Sequence, residues 1–545
     1  MGAASSEQLS LDRHHSGAKP YELDSELQQR GRSEPLKVAI ETQDLDLCQR
    51  VVQLGTDLIL GYPSCDGCTP LLYSLHHENT EIASYLIEQG AEIAGEACAK
   101  YGSRGYTVFH YAASFGWVGI LTLLLRMAPE QFVRLHSAVN PLHLAVANGQ
   151  VECCRLILGC FDQGETCFTT YRALQRTDEK PGVDHWCSGR FRSEEIFAKF
   201  LANLPVQHKQ IRWSWFLNHG ESFPSRLYSA TPLQIAADGG YAQIVQMLID
   251  HGSLINAADA QHRTALDYAA AQDHTEVVKL LLQNGANSNA VNGDLKSPLM
   301  AAARRGNVAS CESLLQSGAD SRMHDNRGRT VLHHAAINVS DPSMLLLILN
   351  YVDDHGLGIE DHSGESPLVA LLATAETPTV AAMLNYAPHP SVYIPGKSNV
   401  LTAIVSNNAI ETSALRRLLR RVPPELAPKL LAHRALCGGT PLYAAATIAA
   451  SHLQGDFIDI LLYAGAELEL EGGAFGTALM GACGAGRLEA VKILISKGAA
   501  ICYRKDGEIV SALRASEHFP DIKRWLLVRR FTEGPKLLKN DDGGG

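Results

Sequence analysis

The sequence has no run of 18 or more apolar residues, so no segment is expected to cross a bilayer as a helix. Positive charge is in deficit. Lys and Arg number 47 against 58 Asp and Glu, a formal net charge of -11. Broad affinity for nucleic acid, which needs a basic footprint, is therefore not expected. The 13 cysteines lack the regular spacing of a disulfide framework, and the first 30 residues are polar, without the form of a cleavable leader. Together these point to free thiols in a reducing compartment, with the cytoplasm first and the nucleus second. Catalytic signatures are missing as well: there is no H-E-x-x-H, no G-x-S-x-G and no pair of carboxylates in a recognisable frame. The expectation is a protein that is not an enzyme and needs no cofactor.

What the chain does have is a step of 33 residues. Thr231, Thr264, Ser297 and Thr330 fall at that interval, and Gly252, Gly285 and Gly318 keep it too. Within "HRTALDYAAAQDHTEVVKLLLQNGAN" (262–287), Thr264 is placed to cap a short helix. Ala269, Ala270 and Ala271 leave room for a neighbouring helix. Val277, Val278, Leu281 and Leu282 form one stripe of a second helix, and Gly285 sits where a left-handed cap ends it. The polar stretch "ANSNAVNGD" reads as a finger loop. One such hairpin cannot bury its own apolar face, whereas a row of them can.

These residues resemble the ankyrin repeat, with its 33-residue period and T-P-L-H-x-A signature. The resemblance is carried by "TPLQIAADGGYAQIVQMLIDHGS" (231–253), by the stretch from His262, and by "GRTVLHHAA" (328–336). Degenerate copies extend it to about thirteen units between roughly residues 33 and 530. The copy "GTALMGACGAGRLEAVKILISKGA" (476–499) is similar in flavour to large fungal ankyrin proteins. The fold implied is an all-α solenoid of stacked helix-turn-helix units with short finger loops. The expected layout is a disordered lead (1–32), an N-terminal array (33–160), an aromatic-rich insertion (161–229), a C-terminal array (230–530) and a disordered tail (531–545). The insertion holds Trp186, Trp213 and Trp215. It reads either as a degenerate repeat packed on the array or as an elaboration that binds a partner or carries an activity.

The resemblance implies that partners are other proteins, met by the fingers and the concave first-helix face. On that face the sequence shows a basic run with aromatics beside it: Arg263, Tyr268, Gln272, Lys296, Arg304, Arg305, Arg327, Arg329 and His334. Arginine forks suit carboxylates and phosphates, so the expected partner is an acidic or phosphorylated segment. The competing reading is a solvated face neutralised by Asp259, Asp294, Asp320 and Asp325.

Other constellations have blander readings. Cys65-x-x-Cys68 with His76 and His77 is half of a zinc pattern, but it falls at a turn. His185 beside Cys187 lacks a third, orienting group. "PGKSN" (395–399) lacks the upstream glycine of a phosphate loop. The resemblance gives His110, His143 and His333 a structural role, tying the turns of neighbouring repeats. The "RRLLRR" run (416–421) reads as a solvated face. At the chain start, "MGAASS" places Gly2 in an N-myristoylation pattern, which makes a membrane-associated adaptor the alternative reading. A single acyl chain gives only reversible membrane visits, so membrane contact is expected only if Gly2 is acylated.

Overall fold

A computed structural model describes residues 34–55, 69–93, 107–128, 131–132, 140–159, 230–337, 342–352, 354–385, 399–435, 439–449, 453–505 and 508–533. Gly2, Cys65, Cys68, the insertion 161–229 with His185 and Cys187, and the tail 534–545 lie outside the described residues.

The described chain is all-α, built from antiparallel helix pairs, and it divides into two units. The first comprises residues up to Ala236 together with Gln243–Ser253. Its pairs are Glu34–Glu41 with Leu45–Gln53, Pro70–His76 with Thr80–Glu88, Val108–Phe115 with Val118–Met127, and Pro141–Ala147 with Val151–Gly159. The helix Ala242–Asp250 also lies mostly in this unit. The second unit comprises Ala237–Ala242 and Leu254 onward. Its pairs run from Ala265–Ala271 with Thr275–Gln283, through Pro298–Arg305 with Val308–Gln316 and Val331–Ile337 with Pro342–Leu349, to Ala512–Ala515 with Pro520–Glu533. Within each unit, first helices pack on first helices and second helices on second helices.

Local sequence explains the helix ends. First helices start at a Thr, Ser or Asn cap that is often followed by proline, as at Thr69-Pro70, Ser297-Pro298, Ser366-Pro367 and Thr440-Pro441. The hydroxyl accepts an orphan N–H two or three residues on; Thr69 Oγ1 takes that of Leu72 at 3.3 Å. Proline sits where its missing N–H costs nothing and its fixed φ suits the first turn. Several second helices end at a left-handed glycine, among them those closed by Gly55, Gly90, Gly252, Gly285, Gly318, Gly465 and Gly498. Gly285 has φ of 87°, and the next N–H, of Ala286, returns to the carbonyl of Leu281 at 2.9 Å.

The core is the expected stripe except for Leu282, which is only half-buried at its edge. Val277, Val278 and Leu281 are buried, while Glu276, Lys279 and Gln283 face water. Each such leucine, removed from water, contributes about 1.5–3 kcal/mol. Cys48, Cys153, Cys154, Cys311 and Cys483 are free and buried. Burial pushes the Cys153 thiol up to about 11 and those of Cys311 and Cys483 up to about 12. They pack as small hydrophobes and are not poised as nucleophiles.

Two fingers of the second unit carry short antiparallel strands, Glu471–Gly473 with Gly476–Thr477 and Cys502–Lys505 with Glu508–Ser511. The turn at Gly439 shows how closely adjacent fingers approach. Gly439 has φ of 72°, and a Cβ there would lie 1.8 Å from the carbonyl oxygen of Gly472. That same carbonyl accepts the N–H of Thr440 at 3.0 Å.

Candidate protein-binding face

Four fingers of the second unit share one construction. An Asx residue five positions before the helix cap turns its Oδ1 onto two backbone N–H groups. Asp259 takes those of Gln261 and Arg263 at 2.8 and 2.9 Å, and Asp325 those of Arg327 and Arg329, both at 2.9 Å. Asn292 and Asp361 do the same in their own fingers. Successive fingers are then laced by backbone bonds: Gly293 N–H to Gln261 O at 2.8 Å, Asn326 to Asp294 at 3.0 Å, and His362 to Arg327 at 2.9 Å.

The second carboxylate oxygen decides the fate of the basic run. Asp259 Oδ2 accepts from Arg263 Nε at 2.9 Å and Nη2 at 2.8 Å, and from the Tyr268 hydroxyl at 2.7 Å. The Arg263 guanidinium lies 4.6 Å from the Tyr268 ring centroid. Two repeats on, Asp325 Oδ2 takes Arg329 Nε at 3.3 Å and His334 Nε2 at 3.1 Å. Tyr268 and His334 hold the same place, four residues after their caps Thr264 and Thr330. Both carboxylates are fully buried, and the two arginine side chains are only about a fifth exposed.

Tyr268 and His334 were expected to point toward a partner. They are instead 4% and 1% exposed, spent on the struts that fix finger to helix. The reason is the aspartate at the finger's start, whose free oxygen draws the arginine and the ring inward. Burial, then donation to Asp259, pushes the Tyr268 phenol well up. Burial pushes His334 down to about 4, so it is neutral near pH 7 and donates from Nε2. Burial alone would raise the Asp325 carboxyl, but the N–H groups of Arg329 and Arg327 and the Arg329 charge hold it below the ordinary range.

The middle finger differs. Asn292 replaces the aspartate, and Lys296 turns out to Asp294 at 2.7 Å. Gln272 donates to Asp238 Oδ1 at 3.1 Å. Arg304 and Arg305 are exposed in the last turn of Pro298–Arg305, and neither forms an ion pair among the described residues. Arg327 is exposed at its fingertip and its charge acts on Asp294. The run thus separates into an inner set (Arg263, Tyr268, Arg329 and His334), a surface-paired set (Lys296 and Gln272) and an outward set (Arg304, Arg305 and Arg327).

The signature histidines serve as ties. Thr330 donates its backbone N–H to His333 Nδ1 at 3.0 Å, which leaves the proton on Nε2. Nε2 then donates to the carbonyl of Glu365, in the next finger, at 3.0 Å. His110 and His143 accept from Thr107 and Asn140 in the same way. Gln234 and Asp267 stand in for the imidazole elsewhere. The role of Asp267 was not read from the sequence, although its phase with His333 was open to view.

Among the described residues no cluster of His, Cys, Asp and Glu could hold a metal. Asn399, the last residue of "PGKSN", caps a helix and donates to the carbonyl of Leu430 at 2.7 Å.

Family models for ankyrin repeats match residues 66–95, 94–167, 213–292 and 288–360. With the helix pairs and laced fingers, this identifies the chain as an ankyrin-repeat protein. The matches do not by themselves fix the count of about thirteen. Two curated relatives resemble parts of it. A probable E3 ubiquitin-protein ligase XBOS32 from Oryza sativa subsp. japonica is 26% identical over 200 residues, covering 36% of this chain and 34% of that protein. The target of rapamycin complex 2 subunit AVO2 from Saccharomyces cerevisiae is 30% identical over 127 residues, covering 23% of this chain and 29% of that protein. The chain therefore spans about a third of the length of the curated relatives it matches. Ankyrin repeats are protein-interaction modules.

Proposed function

We propose that this protein is a scaffold or adaptor that holds an acidic or phosphorylated protein segment on the first-helix face of its second unit. The observation that carries the reading is the exposure of Arg304 and Arg305 without an ion-pair partner among the described residues, while Asp259, Asp294 and Asp325 occupy the neighbouring cations. Two adjacent guanidinium forks, with Arg327 on the next fingertip, offer bidentate donors to carboxylate or phosphate oxygens. The helix fixes the backbone of Arg304 and Arg305 and the laced fingers that of Arg327, so ordering on binding is confined to the side chains. No bond is made or broken in this role. On the same reading the protein works in the cytoplasm, where its free thiols stay reduced.

The test is quantitative affinity capture from the native cell, comparing wild type with Arg304→Glu/Arg305→Glu. The proposal expects a defined set of partners, rich in acidic or phosphorylated segments, to be lost with the variant. An unchanged partner set overturns it. Fractionation of the same cells tests the compartment; a wholly secreted protein would contradict it.

A further inference from the structure

The second-helix side of the second unit carries another feature, separate from the face just described. The second helices Thr412–Arg421, Gln454–Tyr463 and Leu488–Ser496 belong to successive pairs, and neighbours among them pack together. Between their outer surfaces lies an open groove of about 700 Å³. Leu419, Ile460 and Leu462 form its apolar lining, and Tyr463 stands at its edge.

Two properties set this groove apart from an ordinary solvated surface. The first is Tyr463, which is 96% exposed. A tyrosine left so open at a groove edge is a ready anchor, since its ring supplies apolar area at low entropy cost. The second is charge. The helix Thr412–Arg421 buries Ala414, Leu415 and Leu418, which forces Arg416 and Arg420 outward, one turn apart on the groove side. Neither makes an ion pair among the described residues. Asp459, the one carboxylate lining the groove among the described residues, is already bonded to Lys497 at 2.7 Å. The groove therefore presents two uncompensated guanidinium groups beside an apolar floor, on a chain whose net charge is -11.

We propose that this groove is a second docking site, taking an acidic protein segment that carries apolar side chains. Carboxylates of the segment meet Arg416 and Arg420, and an aliphatic side chain lies on Leu419 and Ile460 with Tyr463 against it. Apolar floor and charged rim divide the work in the usual way, one contributing affinity and the other orientation and rate of encounter.

The probe is a fluorescein-labelled 15-residue peptide of glutamate with leucine at every fourth position, followed by fluorescence anisotropy on the full chain. Two control peptides replace every glutamate by lysine or every leucine by serine. Saturable binding by the Glu/Leu peptide alone is expected, weakening at higher salt. Arg416→Glu/Arg420→Glu should weaken it by roughly tenfold or more, and Tyr463→Ala by about tenfold. All three side chains are exposed, so unchanged circular dichroism and melting confirm folded variants. Tyr463→Ala gives a test that changes no charge. All titrations are run on the Arg304→Glu/Arg305→Glu background, which removes the first-helix face as a competing site for an acidic peptide, so the binding that remains reports the groove. No saturable binding up to about 1 mM overturns the proposal. So does equal binding of a control peptide, or binding on that background that neither Arg416→Glu/Arg420→Glu nor Tyr463→Ala weakens.

Discussion

Thr264 and Asp267 close a helix start on itself: Asp267 Oδ2 accepts the Thr264 backbone N–H at 2.7 Å and its hydroxyl at 2.9 Å. The other carboxylate oxygen, Oδ1, is buried without a partner. In the equivalent place His333 has an N–H to spare and uses it on the carbonyl of the next finger. Asp267 does half of what the histidine does and leaves an orphaned acceptor.

Replacing Asp267 should therefore stabilise the protein. In Asp267→Asn the amide oxygen keeps the Thr264 N–H and the amide nitrogen supplies the missing donor. Asp267→His restores the inter-finger tie. Each is expected to raise stability at pH 7 by on the order of 1–2 kcal/mol, read by urea denaturation. A loss of stability in both would contradict this account of the site.

The same carboxyl has a pH signature. Burial raises it from 3.8 to about 6, against the pull of the Thr264 hydrogen bonds. A folded-state value above the unfolded one means a contribution fully present below pH 3.8 and lost as pH rises through 6. The gain from Asp267→Asn should thus be small near pH 4 and reach its full size above pH 6. A pH-independent difference between variant and wild type would speak against it.

Histidine acts with the opposite sign. Burial lowers both His334 and His76 to about 4, and it also lowers His333. The unfolded chain then binds more protons between about pH 6.5 and 4, so stability falls as pH drops through that window. His334→Gln should flatten part of this fall, by on the order of 1–3 kcal/mol between pH 7 and pH 4.5. An unchanged pH profile would show that His334 is not held neutral in the folded state.

Removing the inner aspartates should be costly. Asp259→Ala leaves the N–H groups of Gln261 and Arg263, the Arg263 fork and the Tyr268 hydroxyl without their acceptor, an expected loss of about 3–5 kcal/mol. Tyr268→Phe removes one buried donor and should cost about 1–2 kcal/mol. Gly439→Ala forces a Cβ onto the Gly472 carbonyl and should cost about 3 kcal/mol or more. Melting curves that place all three within error of wild type would contradict the geometry.

The array was legible because hairpin, cap and stripe repeat at one step. Thr264, Ser297 and Thr330 fix helix starts through local chemistry alone, and Val277, Val278 and Leu281 reveal their buried side by spacing. The site was legible only in part. Which finger arginines face out depends on the second oxygen of an aspartate four residues earlier. Spacing marked Arg263 and Arg304 alike as surface cations. Only the fold shows that Asp259 captures the first, while no described residue captures the second. Tyr268 and His334 misled for the same reason, since each occupies a face position yet turns inward to a carboxylate. The groove at Arg416 and Tyr463 combines side chains from successive repeats, and no single repeat displays it.

The separation of inner struts from outward arginines is the centre of this account, and one comparison tests it most directly. It is the dissociation constant of a captured acidic partner segment for wild type, Tyr268→Phe and Arg304→Glu/Arg305→Glu, measured by calorimetry beside their melting points. Tyr268→Phe is expected to melt at a lower temperature with unchanged affinity. For the arginine pair, unchanged melting is expected with affinity at least about tenfold weaker. An affinity that follows Tyr268 and ignores Arg304 and Arg305 would contradict that separation.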